Sequence, residues 1–419
     1  MERSPRSAAA RAVPREEAPR VVVLSHLFPH SGDPGAGLFI RERMFRVARH
    51  IPLVVVSPVP WFPFQGILRR FRPNFRPPAP YHEQQGGVDV YFPRYFSVPG
   101  FGKSLDGLFE ALGALRLLRR LRRDWGAEII DAHFAYPDGY AAGRLGRWLG
   151  LPVTVTLRGT EPPLARTRFG RVLLRGVLKR ADRIFSVSAS LQALARRMGA
   201  SRERTRVIPN GVDTEKFQPI DRGTARRDLG IPETAPVIVS VGALVERKGF
   251  HRVMEVLPAL REHFPGLRYL IVGGPGPEGD MGAYLRERVQ SLGLEDTVHF
   301  LGPMAPEALC RPLSAADLFV LATSHEGWAN VFLEAMACGL PVVTTDVGGN
   351  REVVSESTVG RIVPFGSPEA LEAGLREALA TSWDHRAIRE YAVRNGWDAR
   401  IATVVDELTS LVSSARKGS

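Results

Sequence analysis

The sequence predicts an α/β protein of two domains, each built from a parallel sheet wrapped by helices. Short runs rich in Val and Ile alternate with amphipathic segments along most of the chain, and this alternation is typical of βαβ units. The length of 419 residues exceeds what one hydrophobic core usually organises. Between the two series of strands, residues 207–236 contain four prolines and three glycines, which indicates an interdomain linker.

The first domain is expected over residues 20–206, after a disordered tail over residues 1–19 that is rich in Arg, Ala, Pro and Glu. Its β-branched runs predict strands at 20–25, 52–57, 128–132, 152–156, 183–187 and 205–208. Residues 58–99 are dense in Pro and aromatic side chains, with one weak hairpin candidate at 88–94. This segment is expected to be a long loop, either functional or disordered.

The second domain is expected over residues 237–382, and a helical segment over residues 383–419. Its apolar runs predict strands at 237–242, 268–272, 297–301, 317–321, 341–345 and 361–363. Ligands of open parallel sheets bind at the carboxyl ends of the strands. The residues that follow these strands are therefore the candidates for a binding site.

The composition favours a protein of a reducing compartment without a disulfide framework or a metal centre. The two cysteines, Cys310 and Cys338, each lie in a predicted helix and belong to no metal-ligand cluster. Residues 1–19 lack the apolar core of a secretory signal, and no uncharged run approaches the roughly 18 residues of a membrane span. We therefore expect a cytoplasmic protein, either free or peripheral at the inner face of a membrane.

The positive charge is concentrated in the first half of the chain. Residues 1–206 carry 35 Lys and Arg against 16 Asp and Glu, hence +19, and the remaining residues carry 21 against 28, hence −7. A basic half predicts an anionic partner, such as a phospholipid surface, a lipid pyrophosphate or an acidic polysaccharide, although part of the excess fits a general preference for Arg. Nucleic acid is not expected, because the basic residues form no known nucleic-acid-binding signature.

The most informative motif is HEGWANVFLEAMACGLPVVTTDVGG, residues 325–349. Residues 318–321 predict a buried strand, and residues 331–338 predict a helix that ends at a glycine. The polar loop between them carries Glu326, and the helix carries Glu334. The first amides of that helix face the loop, where a helix N-terminus attracts an anion such as a diphosphate.

A nucleotide sugar fits this arrangement. Its diphosphate would lie near Asn330 and Val331, with Glu326 bonding sugar hydroxyls and Glu334 bonding ribose hydroxyls. Taken alone, two carboxylates near a helix start are as consistent with one helix cap and one solvated side chain as with a ligand site. The distinction depends on the motifs in the rest of the chain.

The two-glutamate segment resembles that of retaining glycosyltransferases of the family 4 type, the glycosyl transferases group 1, which adopt the GT-B fold. Further matches follow the family's order along the chain: GDPGAG at 32–37, IPNGVDTEKFQP at 208–219, VGALVERKG at 241–249 and IVGGPGP at 271–277. The resemblance implies two Rossmann-like α/β/α domains that face each other across a cleft. It also implies that the last helix packs back on the first domain.

The resemblance assigns donor-binding roles to residues of the second half. Lys248 matches the family's diphosphate-binding lysine, and we expect Lys248 and Glu326 to be catalytic. Gly273 and Gly274 match the glycine loop of the nucleotide-binding domain, and Leu301 lies in the segment that resembles the base-contacting one. These residues join Asn330, Val331 and Glu334 in the predicted donor site.

The chain departs from the family pattern at Ala243, where relatives carry an arginine. Departure of a nucleoside diphosphate requires cations and oriented amides that stabilise its charge. Arg247 either supplies the missing charge in the donor site or is a solvated side chain at a helix start.

In the first domain, Gly35 and Gly37 precede a helix expected over residues 38–50, and their backbone allows a ligand to approach. His133 ends the strand EIIDAHF and matches a histidine that the family holds near the donor sugar; it is expected in the cleft with a catalytic role, or else as a group that satisfies the strand end. Arg158, after the strand TVTLRG, is expected to contact the donor or an acceptor phosphate.

The resemblance implies a retaining enzyme of the hexosyltransferase type. Its donor would be a nucleoside diphosphate sugar, with UDP or GDP favoured over ADP. The acceptor would be a hydroxyl of a polysaccharide or a lipid-linked glycan, and neither a metal nor a cofactor is implied. Two alternatives remain: a nucleotide-sugar 2-epimerase, which acts on the donor alone, and a non-catalytic protein that binds glycan or membrane.

Two basic stretches mix Leu and Val with Arg at helical spacing, at residues 108–125 and 166–182. Such helices either lie on an anionic membrane surface or are core helices with a basic outer face. A lipid-linked acceptor would make the first arrangement useful.

Overall fold

The computed structural model describes residues 18–71, 75–100, 102–276 and 278–418. Most of the predicted N-terminal tail, residues 1–17, lies outside the described residues. The chain folds into two compact units. The N-terminal unit comprises the described residues up to Asn210 and those from Asp398 onward, and the C-terminal unit comprises Gly211–Trp397.

All six strands predicted in the N-terminal unit are present, each within one residue of its predicted limits, and the described residues of the segment 58–99 hold four more. They are β1 (Val21–Leu24), β2 (Leu53–Val56), β3 (Val59–Trp61), β4 (His82–Gln85), β5 (Val88–Tyr91), β6 (Arg94–Phe96), β7 (Ile129–His133), β8 (Val153–Leu157), β9 (Arg183–Ser186) and β10 (Thr205–Val207). Within the described residues an eight-stranded sheet has the order β10-β9-β8-β7-β1-β2-β5-β4, and β3 pairs with β6. Strands β1, β2, β7 and β8 are buried along their whole length, as expected of a parallel sheet covered on both faces.

Helices of the same unit cover the sheet. They are α1 (Leu38–Val47), α2 (Gln65–Phe71), α3 (Asp106–Arg120), α4 (Tyr140–Leu149), α5 (Glu161–Arg166), α6 (Arg168–Arg180) and α7 (Ala189–Arg197). A turn of π-helix at Leu121–Trp125 extends α3. The helix predicted over residues 38–50 ends three residues earlier than expected.

The segment predicted as a long loop, residues 58–99, instead contains β3, α2 and β4–β6. Its hairpin consists of antiparallel β4 and β5, joined at Gly86 and Gly87, and therefore begins before the predicted 88–94. The sequence does not reveal β4, because its residues are polar and half-exposed along an edge of the sheet. Such an edge strand lacks the alternating apolar pattern that predicts a strand.

The C-terminal unit contains a second parallel sheet. Its strands are β11 (Val237–Val241), β12 (Arg268–Val272), β13 (Val298–Gly302), β14 (Leu318–Leu321), β15 (Val342–Thr345) and β16 (Gly360–Val363). Its helices are α8 (Arg222–Asp228), α9 (Phe250–His263), α10 (Gly282–Ser291), α11 (Cys310–Ala315), α12 (Asn330–Ala337), α13 (Asn350–Val353), α14 (Pro368–Ala380) and α15 (His385–Arg394). The strand order in the described residues is β13-β12-β11-β14-β15-β16.

The limits of the units differ from the predicted domain limits at both crossings, the two points where the chain passes from one unit to the other. Residues 211–236, predicted as linker, belong to the C-terminal unit. Ala225 of α8 is fully buried, and the buried Arg226 donates to the carbonyls of Ala315 and Ala235 at 2.9 Å each. Residues 383–397, predicted to accompany the last helix, also belong to this unit, because the apolar side of α15 enters its core.

The two crossings lie side by side within the C-terminal unit. Val212 forms a β-bridge with Gly396, and the Val212 amide donates to the carbonyl of Asn395 at 3.3 Å. The chain therefore enters and leaves this unit at one place.

The last helix, α16 (Asp398–Gly418), belongs to the N-terminal unit. Its apolar positions recur at helical spacing and are buried at Ile401, Val404, Val405, Leu408 and Val412. The carboxylate of Glu407 accepts from Arg183 at 2.8 Å and from Arg206 at 2.6 Å. No helix among the described residues is long and apolar enough to cross a membrane.

Each sheet reverses its strand order at one point. In the N-terminal unit the reversal lies between β1 and β7, and in the C-terminal unit it lies between β11 and β14. The loops that follow such strands diverge to opposite faces of the sheet and leave a crevice at the carboxyl edge. Lys248 and Glu326 follow β11 and β14, and His133 ends β7, whereas Arg158, Gly273 and Gly274 follow the neighbouring strands β8 and β12.

Candidate functional site

A buried ion pair joins the two loops at the reversal point of the C-terminal unit. Lys248 ends a single 3-10 turn after β11, and Glu326 lies in the loop after β14. The Lys248 Nζ donates to Oε1 of Glu326 at 2.5 Å, and both side chains are largely buried. Two residues that the sequence singled out separately are thus in direct contact.

Arg247 reaches the same carboxylate oxygen. Its Nη1 donates to Oε1 of Glu326 at 3.0 Å, and its Nε donates to Oε1 of Glu278 at 2.7 Å. Arg247 is therefore held between two carboxylates, and it shares one of them, Glu326, with Lys248. It stands four residues after Ala243, the position at which relatives carry an arginine. Glu278 was not among the predicted residues, since an acidic side chain in a Gly- and Pro-rich loop gives no sign of its partner.

The two cations keep Glu326 ionised. Burial alone raises the pKa of this carboxyl, but the charges of Lys248 and Arg247 and the hydrogen bond from Lys248 outweigh it, so the pKa lies below its ordinary value. For Arg247, burial lowers the pKa, whereas Glu326 and Glu278 raise it and prevail. Glu326 is therefore an ionised carboxylate whose charge Lys248 and Arg247 already compensate, while Arg247 also pairs with Glu278.

Glycines allow the loops at this edge to approach each other closely. A Cβ on Gly273 would lie 1.8 Å from the carbonyl oxygen of Gly242, and one on Gly348 would lie 1.8 Å from the carbonyl oxygen of Glu326. The Gly274 carbonyl accepts from the Leu244 amide at 2.8 Å. The predicted glycine loop is therefore fastened to the loop that carries Lys248.

The remaining donor residues lie along the same edge. Asn330 and Val331 begin α12, directly after the loop of Glu326, and Glu334 lies on α12 in a half-buried position. Leu301 is half-buried in β13, whose last residue, Gly302, accepts from the Gly273 amide at 2.9 Å. The backbone thus brings these four residues to the edge where Lys248 and Glu326 meet, and their roles stay predictions.

In the N-terminal unit, Arg158 covers His133. The Nδ1 of His133 accepts from Nε of Arg158 at 3.0 Å, and the Arg158 guanidinium also lies 5.2 Å from the ring of Phe39 on α1. Nη1 of Arg158 donates to Oδ1 of Asn210 at 3.4 Å. His133 is fully buried, so the prediction that its imidazole is open to a cleft does not describe this conformation.

His133 is a neutral imidazole. Burial above all, together with the nearby charge of Arg158, lowers its pKa to about 4. Because Nδ1 accepts from Arg158, we assign the proton to Nε2. That atom has no hydrogen-bond partner and lies 3.4 Å from Oδ2 of Asp131. His133 therefore faces the Arg158 guanidinium with one ring nitrogen and the Asp131 carboxylate, across a long contact, with the other.

A second histidine, which the sequence analysis missed, follows β1. Nδ1 of His26 lies 2.8 Å from Oδ1 of Asp138, and the His26 amide donates to the same oxygen at 3.0 Å. Burial lowers the pKa of His26, but Asp138 raises it and prevails. Burial above all, together with the nearby charge of Asp138, raises the pKa of the Glu110 carboxyl well above its ordinary value. The position of His26 directly after the first strand is the signal that could have identified it.

Of the two glycines predicted to let a ligand approach in the first domain, only one lies close to another part of the backbone. Gly37 has a φ of 63° at the start of α1, and a Cβ there would lie 2.4 Å from the carbonyl oxygen of Leu27. Gly35 is exposed, and a Cβ there would meet only the Asp33 carboxylate at 3.9 Å. Gly37 therefore has a structural requirement, whereas nothing around Gly35 demands glycine.

Models of two protein families match the chain. Residues 67–216 match Glycosyltransferase Family 4, and residues 221–395 match Glycosyl transferases group 1. The first match lies mainly in the N-terminal unit, and the second lies within the C-terminal unit.

Similar curated proteins are glycosyltransferases. The D-inositol 3-phosphate glycosyltransferase of Corynebacterium urealyticum is 33% identical over 59% of this chain and 61% of its own length. The putative teichuronic acid biosynthesis glycosyltransferase TuaC of Bacillus subtilis is 28% identical over 87% of this chain and 90% of its own. The chain thus matches less than two thirds of the length of the first relative and most of the second.

Solved structures share the fold. The sucrose-phosphate synthase of Thermosynechococcus elongatus has a TM-score of 0.74 at 21% identity, over 95% of this chain and all of the other. HepE of Anabaena, solved with UDP, has a TM-score of 0.69 at 20% identity, over 94% of this chain and all of the other. The fold predicted from the sequence is confirmed, and the chain belongs to the GT-B glycosyltransferases of the family 4 type.

Proposed function

We propose that the protein is a retaining glycosyltransferase that moves a hexose-type sugar from a nucleoside diphosphate sugar to a hydroxyl acceptor. The observation that carries this proposal is the contact of Lys248 and Arg247 with Glu326 at the carboxyl edge of the C-terminal sheet. Family membership and the names of the relatives support it.

The chemistry needs the cations of this site. The bond between the anomeric carbon and the diphosphate oxygen breaks, a bond to the acceptor oxygen forms on the same face, and the acceptor proton leaves with the diphosphate. Negative charge grows on the departing diphosphate, where Lys248 and Arg247 stabilise it. When the donor binds, its diphosphate takes over these cations, and the carboxylate of Glu326 becomes free to accept hydrogen bonds from sugar hydroxyls.

The amides at the start of α12 supply a second source of positive potential. No side chain caps this helix at Ala329, and amides at a helix N-terminus suit a diphosphate. Glu334, one turn further, is proposed to bind the ribose. The donor is proposed to carry UDP or GDP, and the UDP and UDP-glucose complexes of HepE favour UDP.

The acceptor is proposed to be a hydroxyl of a polysaccharide or of a lipid-linked glycan. The basic first half of the chain suits an anionic acceptor, and the name of TuaC associates a relative with teichuronic acid biosynthesis. Catalytic or phosphate-binding roles of His133 and Arg158 stay predictions. The same holds for a ligand-binding role of Gly35 and Gly37.

The proposal is tested by ligand-induced melting shifts. A ligand that binds only the folded protein raises its stability, so UDP and UDP-glucose are expected to raise the melting temperature, and GDP or ADP series serve as comparisons. Lys248→Ala is expected to abolish the shift. If no nucleotide raised the melting temperature, the donor-site assignment would be contradicted and a non-catalytic binding protein would be favoured. Turnover of the donor without any acceptor would favour the epimerase.

We propose that transfer needs no divalent metal, because the cations of the site are side chains and the sequence lacks a paired-aspartate metal motif. Turnover measured after EDTA treatment is expected to equal that of untreated enzyme. A loss that Mg²⁺ or Mn²⁺ restores would contradict this proposal.

A further inference from the structure

We propose that Cys310 and Cys338 form a redox modification site, at which hydrogen peroxide converts the two thiols into a reversible disulfide within the C-terminal unit. The chain contains no other cysteine, and both are free thiols in the structure. This inference goes beyond the proposed function and does not depend on it.

The two thiols meet at one short stretch of backbone, residues 216–218. Cys310 begins α11, and its Sγ lies 3.3 Å from the carbonyl oxygen of Lys216. Cys338 directly follows α12, and its Sγ lies 3.7 Å from the carbonyl oxygen of Gln218. Two sulfur atoms from separate helices therefore lie against the same stretch.

Arg389 of α15 holds this stretch against the end of α12. Its Nη2 donates to the carbonyl of Thr214 at 3.3 Å, and its Nη1 donates to the carbonyl of Phe217 at 3.2 Å. The same Nη1 also donates to the carbonyl of Ala337, the residue before Cys338. The backbone around both sulfur atoms is thus fixed by one guanidinium, which also places a positive charge close to them.

The two thiols differ in acidity. A hydrogen bond from the Cys338 thiol above all, together with the amides of Gln218 and Cys310 and the charge of Arg389, outweighs burial and lowers the pKa of the Cys310 thiol to about 6. The same hydrogen bond above all, together with burial, raises the pKa of Cys338 far above its ordinary value.

This difference assigns the two roles. At neutral pH the half-buried Cys310 is the reactive thiolate, and the buried Cys338 keeps its proton. A partly exposed thiolate of low pKa beside a second thiol is the arrangement of redox-sensitive cysteines. In a reducing compartment, which the composition favours, such disulfides are usually transient.

The reaction with hydrogen peroxide has two steps. The Cys310 thiolate attacks one peroxide oxygen, so that an S–O bond forms, the O–O bond breaks, and the hydroxide that leaves takes up a proton to become water. The Cys338 sulfur then attacks the sulfenic acid of Cys310, so that the S–S bond forms, the S–O bond breaks, and the hydroxyl leaves as water with the proton of Cys338. In sum, two thiols lose two protons and two electrons, and the peroxide is reduced to two water molecules.

The disulfide links the start of α11 to the end of α12 and closes a loop that contains β14. Closing a loop stabilises the folded state, chiefly by restricting the unfolded chain. The oxidised protein is therefore expected to melt about 2 °C or more above the reduced protein. Dithiothreitol should abolish this difference, because a dithiol reduces the disulfide by exchange.

The test counts the free thiols of the full chain after treatment with hydrogen peroxide at neutral pH, by maleimide labelling of the denatured protein and mass spectrometry. In the unaltered protein both thiols are expected to disappear together and to return with dithiothreitol. Cys310→Ser is the matched control and should keep the thiol of Cys338 under the same treatment. Cys338→Ser should accumulate a sulfenic acid at Cys310, which dimedone traps.

A second readout is the pH dependence of the alkylation of Cys310 by iodoacetamide. Its midpoint is expected near pH 6 in the unaltered protein. Cys338→Ala removes the hydrogen-bond donor and should move the midpoint upward, whereas Cys338→Ser keeps a hydroxyl donor and should move it less. A midpoint that neither substitution changes would contradict the assigned contact between the two thiols.

Survival of both thiols in the peroxide-treated protein would overturn the proposal, as would a disulfide that forms only between two chains. Equal loss of the remaining thiol in Cys310→Ser and Cys338→Ser would also overturn it, because Cys310 is assigned as the reactive residue. The melting temperature of each reduced variant and its response to UDP check its folded state. A failed response of the unaltered protein to UDP would contradict the proposed function, whereas the thiol counts decide the disulfide by themselves.

Discussion

Lys248 is the residue on which the proposed chemistry depends most directly. Its ammonium group is held against the buried carboxylate of Glu326 at 2.5 Å. A site arranged in this way has its positive charge oriented before the substrate arrives, and such preorganised charge is usually the largest electrostatic contribution to transfer.

Replacing Lys248 with Ala is expected to lower transfer by roughly a hundredfold or more, because one cation facing the leaving diphosphate is lost. Steady-state turnover with a UDP-sugar donor measures the effect. Lys179→Ala, which removes an exposed lysine of α6, is the matched control and should leave turnover unchanged. Near-normal activity of the Lys248 variant would refute its assignment.

His133 is expected to make stability depend on pH. Its folded-state pKa of about 4 lies below the ordinary value of 6.5, so between these values the unfolded chain binds a proton that the folded chain does not. Stability therefore falls as pH decreases from about 6.5 to about 4, by up to about 3 kcal/mol for this single group. His133→Asn should flatten that part of the profile, as measured by urea unfolding at several pH values; an unchanged slope would contradict it.

At the scale of single residues, the sequence predicts which residues belong to the site better than it predicts the side chains that contact them. Lys248 and Glu326 were recognised by motif, but Arg247 with Glu278 and His26 with Asp138 depend on contacts across 31 and 112 positions of the chain. The burial of His133 beneath Arg158 was also missed. The strands that precede these residues can be predicted from the sequence. The side chains that pair with them or cover them come from other loops, which the sequence does not show to be close.

At the level of elements, the loop that carries Glu326 depends on a neighbouring turn. Gly348 has a φ of 54°, and its Cα lies so close to this loop that a Cβ would be 1.8 Å from the carbonyl oxygen of Glu326. The Gly349 amide donates to the same oxygen at 3.3 Å. The turn after β15 thus fixes the backbone on which the carboxylate is presented.

Gly348→Ala is expected to destabilise the protein by more than the roughly 1 kcal/mol cost of a positive φ, because the backbone must also move. Gly366→Ala is the matched control, since Gly366 has a φ of 84° and nothing within 4 Å of the added carbon. Urea unfolding and the melting shift with UDP measure both variants. The Gly348 variant should lose the shift and the Gly366 variant should keep it; equal behaviour would show that the close approach is unimportant.

Elements differ in how well the sequence predicts them. Fully buried strands such as β1 and β14 appear as uninterrupted apolar runs, and their limits were predicted to within one residue. Strand β4 and helix α2 were missed, because β4 is polar and α2 carries an apolar pattern within a Pro-rich segment. A pattern predicts burial, and α2 is a case in which the pattern and the burial disagree.

At the scale of the whole molecule, the N-terminal unit is completed by the last helix. Five apolar side chains of α16 are buried, and Glu407 binds two arginines of β9 and β10. The sequence alone places this helix after the second domain, and only the resemblance to the family suggested that it returns to the first.

Truncation after Trp397 is expected to destabilise the N-terminal unit while leaving the nucleotide response intact. Removing α16 exposes apolar side chains that each contribute about 1.5–3 kcal/mol, but Lys248, Arg247 and Glu326 all lie in the C-terminal unit. Calorimetry of the truncated protein should show two melting transitions. The N-terminal unit should melt at a lowered temperature that UDP does not change, whereas UDP should raise the melting temperature of the C-terminal unit. Truncation after Ser413 keeps every buried position of α16 named above and should leave both transitions unchanged; loss of the UDP response after truncation at Trp397 would contradict the assignment.

The single point of entry and exit at Val212 and Gly396 makes residues 211–397 an insertion into the host formed by the rest of the chain. Two neighbouring splice sites suffice to exchange the whole insertion for the corresponding one of a relative. A chimaera made in this way should take its nucleotide preference from the inserted residues. The melting temperature of its N-terminal unit should remain that of the host. The topology thus provides a ready route by which evolution, or an engineer, can recombine sugar donors with acceptors.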